Sequence, residues 1–340
     1  MTPWHWTPDE GPARLRAELA SQGFTVVRLG DLAREAPIAP WTFVERLFRE
    51  VPRMVERQPI RPVAGGRSFA STDVFTPLHT DSQLHLGAPP AAQIMVCERA
   101  ASEGGESHLV DAWALCASIE RAEPRLFEAL LRTPRRIPFV FGDVFGPTLA
   151  IRGDALTFTH SPMAPGADPV AVALAPWIER ATKVTLRIET GDTLVVDNHR
   201  MLHGRAAFRD GARSFVRVLA WLTSPLGDHP RLRALASEEL SGRKDPHARD
   251  ALRVRARFGV EAPTQGEGAR RLRVVFEMLR GVPPGVLAGR EGVAEAELYA
   301  WRDAAITAAA SALVAVDAAR DEAALKAALD ASKQRAMRRR

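Results

Sequence analysis

Between residues 24 and 222 the chain is cut into many short β-like runs separated by turns, and this limits the folds open to it. The runs are 24–29, 93–97, 107–111, 137–141, 155–159, 183–188, 193–197 and 213–222. Most are rich in β-branched or aromatic residues, and Gly, Pro, Asn or Asp marks the gaps. Few helices interrupt them. Residues 12–20 have helical spacing, as do 41–56, with Trp41, Phe43, Val44, Leu47 and Phe48 on one face. A third helix fits 112–130, restarting at Pro124, a residue suited to a first helical turn. Many short strands with few helices predict a sandwich or barrel.

The pattern stops at Ser224-Pro-Leu-Gly-Asp-His-Pro230. Beyond it nothing reads as strand. Residues 231–258, 270–280, 294–315 and 321–337 are rich in Ala, Leu, Arg and Glu at helical spacing, with Gly- and Pro-rich connections at 259–268 and 281–285. The expectation is an α+β chain in two parts: a β-barrel domain over 1–228 and an all-helical domain over 229–340. A chain of 340 residues has room for both.

Composition narrows the setting. The two cysteines, Cys97 and Cys116, form no CxxC pair, which excludes a zinc ribbon and argues against a disulfide framework; both read as core. No run approaches the roughly 20 apolar residues of a membrane span. The first ten residues lack a basic end followed by an apolar run, so no secretory signal is expected and a reduced, cytoplasmic setting is. The net charge of +5 is uneven: residues 231–340 hold 21 Lys and Arg against 15 Asp and Glu, the remainder 25 against 26. A basic C-terminal third suits an acidic partner or a solvated helical surface, and Met337-Arg-Arg-Arg340 reads as a solvated tail.

Two stretches carry chemistry: Thr76-Pro77-Leu78-His79-Thr80-Asp81-Ser82 and Val196-Asp197-Asn198-His199-Arg200-Met201-Leu202-His203-Gly204-Arg205. Residues i and i+2 of a strand face the same side, so His79 and Asp81 can close on one ion. A further histidine must come from another strand, and the second stretch offers His199 and His203. Two histidines and a carboxylate leave iron positions open, the facial triad of non-haem Fe(II) oxygenases; zinc more often takes sulfur or a third histidine. Arg213 and Arg217 lie four residues apart and share a strand face.

The order His79-Thr80-Asp81, Gly104-Gly105-Glu106-Ser107, the second histidine stretch, then Arg213 and Arg217 resembles the taurine dioxygenase and γ-butyrobetaine hydroxylase (TauD/TfdA) group of Fe(II)/2-oxoglutarate-dependent dioxygenases. The resemblance covers roughly residues 68 to 222. It implies a double-stranded β-helix (jelly-roll) core, with His79, Asp81 and His203 as the metal ligands and His199 as a loop residue near the site. It implies that Arg213 grips the far carboxylate of 2-oxoglutarate, with two parallel hydrogen bonds from its guanidinium, and that the Ser107 hydroxyl is a second contact. Either arginine fits that role; Arg213 is preferred, and Arg217 then orients the cosubstrate or an anionic substrate group. The implied reaction consumes O2 and 2-oxoglutarate, releases succinate and CO2, and hydroxylates an unactivated C–H bond. Desaturation or demethylation is the variant outcome. Asp81 fills the position that a halogenase leaves to chloride, which argues against chlorination.

Ser68, Asp73, Gln83, His85 and His160 are candidates for the pocket wall, and His108 is expected to face away from Ser107. Tyr299, the single tyrosine, falls outside the barrel region, which weakens an aromatic cage for a betaine. Residues 270–302 resemble the helix-turn-helix of transposase-type proteins. Glu295, Glu297 and Asp303 on the second helix would repel phosphate, so nucleic acid is disfavoured as a partner and docking, substrate recruitment, a lid or dimerisation preferred. Three functions follow. The first is an oxygenase acting on an amino-acid-, amine- or peptide-like substrate. The second is the same enzyme on a peptide or carrier-bound substrate that the C-terminal domain recruits. The third, of another class, is a DNA-binding regulator with a ligand-sensing barrel.

Overall fold

The computed structural model describes residues 2–66, 68–83, 88–139, 144–236, 267–279 and 282–308. His85, most of the helix expected over 231–258, the helix expected over 321–337 and the Arg-rich tail lie outside the described residues. The described strands are β1 (Trp4–His5), β2 (Phe24–Arg28), β3 (Met54–Ile60), β4 (Thr76–His79), β5 (Ala92–Arg99), β6 (Ser107–Asp111) and β7 (Arg135–Ile137). They continue with β8 (Val144–Gly146), β9 (Leu149–Arg152), β10 (Ala155–Phe158), β11 (Val184–Leu186), β12 (Asp192–Asp197), β13 (Met201–Arg205) and β14 (Ser214–Trp221).

Two sheets organise the barrel region. One has the order β1-β2-β12-β5-β14-β3, the other β11-β6-β13-β4. Every pair is antiparallel except β1 with β2. Alternation sorts the side chains. One set, including Phe24, Val26, Cys97, Leu194, Val196 and Phe215 from the larger sheet and Leu109, Leu186 and Met201 from the smaller, forms a shared apolar core between them. The opposite faces are covered by helices. Val27, Ile94, Val195, Val216 and Val218 pack against α1 (Gly11–Gln22) and α2 (Pro40–Phe48). Leu78, Val110 and Leu202 pack against α3 (Ala112–Ala122), α4 (Pro124–Arg132) and α5 (Pro169–Arg180).

Local chemistry explains where these elements begin and stop. Asp111 and Asp168 accept backbone N–H groups at the starts of α3 and α5. The helix expected over 41–56 ends at Phe48, because Arg49 turns left-handed (φ 54) and caps it. Residues 54–60 then form strand β3, where the spacing predicts the last residues of that helix. Pro59 is tolerated there because β3 is an edge strand.

After α6 (Pro230–Leu235), the described C-terminal residues form α7 (Glu267–Leu279), α8 (Pro284–Glu291) and a last helix over 295–308. Gly292 (φ 67) makes the turn between the last two. Val274, Val275, Met278, Leu279, Leu287, Leu298, Tyr299 and Trp301 are buried and join the cluster that includes Trp41, Met54 and Val55. Arg302 is also buried, its Nη1 donating to the Val55 carbonyl at 2.7 Å. The face of the last helix carrying Leu298, Tyr299 and Arg302 is therefore turned into the protein. Among the described residues no helix is long and apolar enough to cross a membrane.

Candidate metal centre

β4 and β13 are antiparallel neighbours, and their register sets His79 directly opposite His203. The ring centroids are 4.5 Å apart. The register slips between His203 and Arg205, and a Cβ on Gly204 would sit 2.7 Å from the Thr76 carbonyl oxygen. Only glycine permits that approach, which accounts for the Leu-His-Gly-Arg run. β4 stops at His79, and the Thr80 N–H donates instead to the His160 carbonyl at 3.0 Å. Asp81 thus lies just beyond the strand. Its backbone is held by the Asn198 carboxamide, which accepts from Asp81 N–H at 2.8 Å and donates to its carbonyl at 2.8 Å. The outcome is one ligand-type atom from each of His79, Asp81 and His203, all within 4.8 Å of one another.

The charge states suit a divalent cation. Burial drives both imidazoles below the usual histidine range, His203 to about 3. Burial pushes the Asp81 carboxyl up, but Arg217 and the two histidines outweigh it and hold the group at about 2. At neutral pH the cluster is therefore two neutral imidazoles and one carboxylate, the forms in which these groups bind metal. His79 Nδ1 lies 2.8 Å from the Pro77 carbonyl, so it carries the proton and Nε2 keeps its lone pair. Two nitrogens and one oxygen, with no thiolate among them, fit Fe(II).

The larger sheet supplies what surrounds this cluster. Arg217 Nη1 on β14 donates to Asp81 Oδ1 at 2.9 Å, and its Nη2 donates to Gln58 Oε1 on β3. Gln93 on β5 donates to Asp81 Oδ2 at 2.7 Å and lies 2.8 Å from His203 Nε2.

Arg213 precedes β14 and is only 2% exposed. Its guanidinium sits 4.0 Å from the Phe215 ring centre and 5.0 Å from that of Phe208. Nη1 is buried with no hydrogen-bond partner, and burial pushes the group down to about 10. Arg205 is buried nearby, but its Nη2 donates to the Thr72 and Val74 carbonyls at 3.0 and 2.8 Å. Arg213 is thus a buried cation left open to an anion. Gly104 and Gly105 (φ 75 and 77) turn beside it, and a Cβ on Gly105 would lie 3.2 Å from Arg213 Nε. Ser107 stands opposite Arg205 in the β6–β13 register, on the face that carries His203. No hydrogen bond joins its hydroxyl to Arg213.

The other candidates are placed as follows. His199 lies in the β12–β13 turn, its Nε2 3.1 Å from the Pro89 carbonyl, and is not part of the cluster. Burial, with Arg135 and His79 nearby, drives His160 down to about 3. The Ser68 hydroxyl is 2.9 Å from that of Ser71, and the Asp73 carbonyl accepts the Phe208 N–H. Gln83 Oε1 is buried without a partner. His108 contacts Thr185 at 3.1 Å on the face opposite Ser107. Cys97 and Cys116 are free and buried, and burial pushes both thiols up. The sequence reading passed over Gln93, Asn198 and Gln58. Gln93 had a visible signal, as the one polar residue of the run 93–97.

The model of the family described as taurine catabolism dioxygenase TauD, TfdA family matches residues 5–172 and 160–219. Human gamma-butyrobetaine dioxygenase is 24% identical over 155 residues, 39% of this chain and 40% of that protein. The chain thus spans about two fifths of that relative's length. Among solved structures, asparagine oxygenase is 18% identical, with 62% of this chain and 76% of that one covered at a TM-score of 0.44. The non-heme iron oxygenase OrfP with Fe and alpha-ketoglutaric acid is 17% identical, with 64% and 81% covered at 0.46. Because the family match takes in more than half of its residues, this chain belongs to the TauD/TfdA dioxygenase family.

Proposed function

We propose that the chain is a non-haem Fe(II)- and 2-oxoglutarate-dependent oxygenase that hydroxylates an unactivated C–H bond of an amino-acid-, amine- or peptide-like substrate. The observation that carries this is the cluster of half-buried His79 with buried Asp81 and His203 in a chain of this family. On this reading the facing sheets are a double-stranded β-helix, and the described helices after residue 229 belong to a helical domain appended to it.

His79, Asp81 and His203 would hold the iron. Arg213 would bind the far carboxylate of 2-oxoglutarate, since it is a buried guanidinium with a free N–H edge. Ser107, on the inward face of β6, would add a hydroxyl donor. Iron and 2-oxoglutarate together supply oxygen activation, with succinate and CO2 as co-products. Arg217 holds Asp81 ionised, and with Gln58 it offers a cation and an amide to an anionic substrate group. The aromatic and aliphatic side chains between the sheets keep bulk water from the reacting atoms. Tyr299 is buried in the C-terminal helices, which leaves a quaternary-ammonium cage without tyrosine. The buried face of the last helix weighs against a DNA-reading role.

The test is anaerobic addition of Fe(II) and 2-oxoglutarate to the protein. A visible charge-transfer band is expected, absent in His79→Ala. No band with the wild type, or an unchanged band in His79→Ala, removes this reading.

A further inference from the structure

Asp81 is the least secured member of the cluster by secondary structure. It lies past the end of β4. Its backbone is tied by Asn198, and its carboxylate is tied only from the opposite sheet, by Arg217 at Oδ1 and Gln93 at Oδ2. The two ties differ. Arg217 brings charge and is shared with Gln58. Gln93 is neutral, 5% exposed, and reaches two cluster members at once.

Chemistry settles the orientation of its amide. An ionised Asp81 oxygen only accepts, and His203 Nε2 faces the same amide nitrogen. The NH2 end must therefore point at both, one N–H for each. His203 Nε2 accepts that N–H with the one lone pair a cation would need, so a bound cation would displace this bond and leave the bond to Asp81 Oδ2.

We propose that Gln93 is the positioning residue of this centre. Its carboxamide, projecting from β5, holds Asp81 Oδ2 and so fixes the orientation of the carboxylate, which sets the affinity for a divalent cation. The inference rests on the metal-centre reading. It accounts for an amide on the inner face of β5, where its neighbours Met95 and Cys97 belong to the apolar core. It also separates two tasks: Arg217 governs the charge of Asp81, and Gln93 governs where its second oxygen stands.

Gln93→Met keeps the length of the side chain and removes both donors. Chelator-treated wild type and variant are titrated with Co(II), followed by visible absorption and calorimetry, with circular dichroism as the control for folding. Loss of such an outer partner weakens metal binding about 10- to 100-fold; that loss is expected in Gln93→Met, with partial recovery in Gln93→Asn. Equal Co(II) affinity in wild type and Gln93→Met overturns the inference and leaves the metal centre intact. Failure of the wild type to bind Co(II) overturns both. Should Gln93→Met not fold, Gln93→Asn decides alone. Weaker Co(II) binding than wild type supports the assignment, and wild-type affinity overturns it.

Discussion

Replacing Arg213 with methionine should weaken cosubstrate binding and stabilise the protein at the same time. Two parallel charge-assisted hydrogen bonds, each worth about 1.5–3 kcal/mol, join a guanidinium to a carboxylate. Losing them amounts to about 3–6 kcal/mol, or about 10²- to 10⁴-fold in 2-oxoglutarate affinity at 1.4 kcal/mol per tenfold. Stability moves the other way. Burial lowers the Arg213 pKa from the ordinary guanidinium range to about 10, a penalty on the charged form of roughly 3 kcal/mol. A base with a depressed folded pKa bears that penalty in full below pH 10 and sheds it only as pH rises toward the ordinary guanidinium range. At pH 7 the methionine variant escapes it. The variant forfeits the stacking of the cation on Phe208 and Phe215, worth about 0.5–2 kcal/mol. The balance is a gain of roughly 1–2 kcal/mol, seen as a melting temperature a few degrees higher without ligand. Calorimetric titration of 2-oxoglutarate into the Co(II)-loaded protein and a thermal melt of the metal-free protein measure the two effects. A lower melting temperature with unchanged 2-oxoglutarate affinity would refute the reasoning and make Arg213 a structural cation.

Two further outcomes follow from buried groups away from the His79, Asp81 and His203 cluster. Asp197 is buried, with Oδ2 unpartnered, and burial pushes its carboxyl up to about 7. Since the unfolded group ionises near 3.8, stability drains away as pH rises between those values, by roughly 4 kcal/mol in all. Asp197→Asn should raise the melting temperature at pH 8, with the gain vanishing toward pH 4; a gain independent of pH would contradict this. Ending the chain at residue 236 removes eight buried apolar side chains from Val274 to Trp301, each worth about 1.5–3 kcal/mol when buried. It also uncovers Trp41, Met54 and Val55. Lower soluble yield and an earlier melt are expected, whereas a truncated barrel that melts with the full chain would show the helices to be dispensable.

The local signals in this chain were legible where one residue type has one physical use. Gly204 must be glycine because the Thr76 carbonyl crowds it, and Pro124 opens α4. The strands at 92–99, 192–197 and 214–221 are dense in buried aliphatic residues and stood out. β3 did not, because Glu56, Arg57, Gln58 and Pro59 follow Met54 and Val55 on an open edge where polar residues and proline are tolerated. α5, which the sequence analysis does not single out, carries Pro176 in its interior, where proline is unfavourable. At the site, His79 and Asp81 are close as expected, but not by the strand-face rule: β4 ends at His79, and Asn198 holds the Asp81 backbone beyond it. The ties from Gln93, Gln58 and Asn198 were not legible, since sheet register decides them and register is a property of strands far apart in the chain.

The clamp on Asp81 also bears on how the protein matures. Asn198 lies 117 residues downstream of Asp81, and Arg217 lies 136 downstream. At a synthesis rate of about 5–20 residues per second, a ribosome that has made His79 and Asp81 needs roughly 7–27 seconds to reach Arg217. Until then the carboxylate has neither its counter-ion nor its backbone tether, and His203 arrives almost as late. If His79, Asp81 and His203 hold a metal, a nascent chain offers it two loose ligands and no cage until the segment through Arg217 has been made and folded.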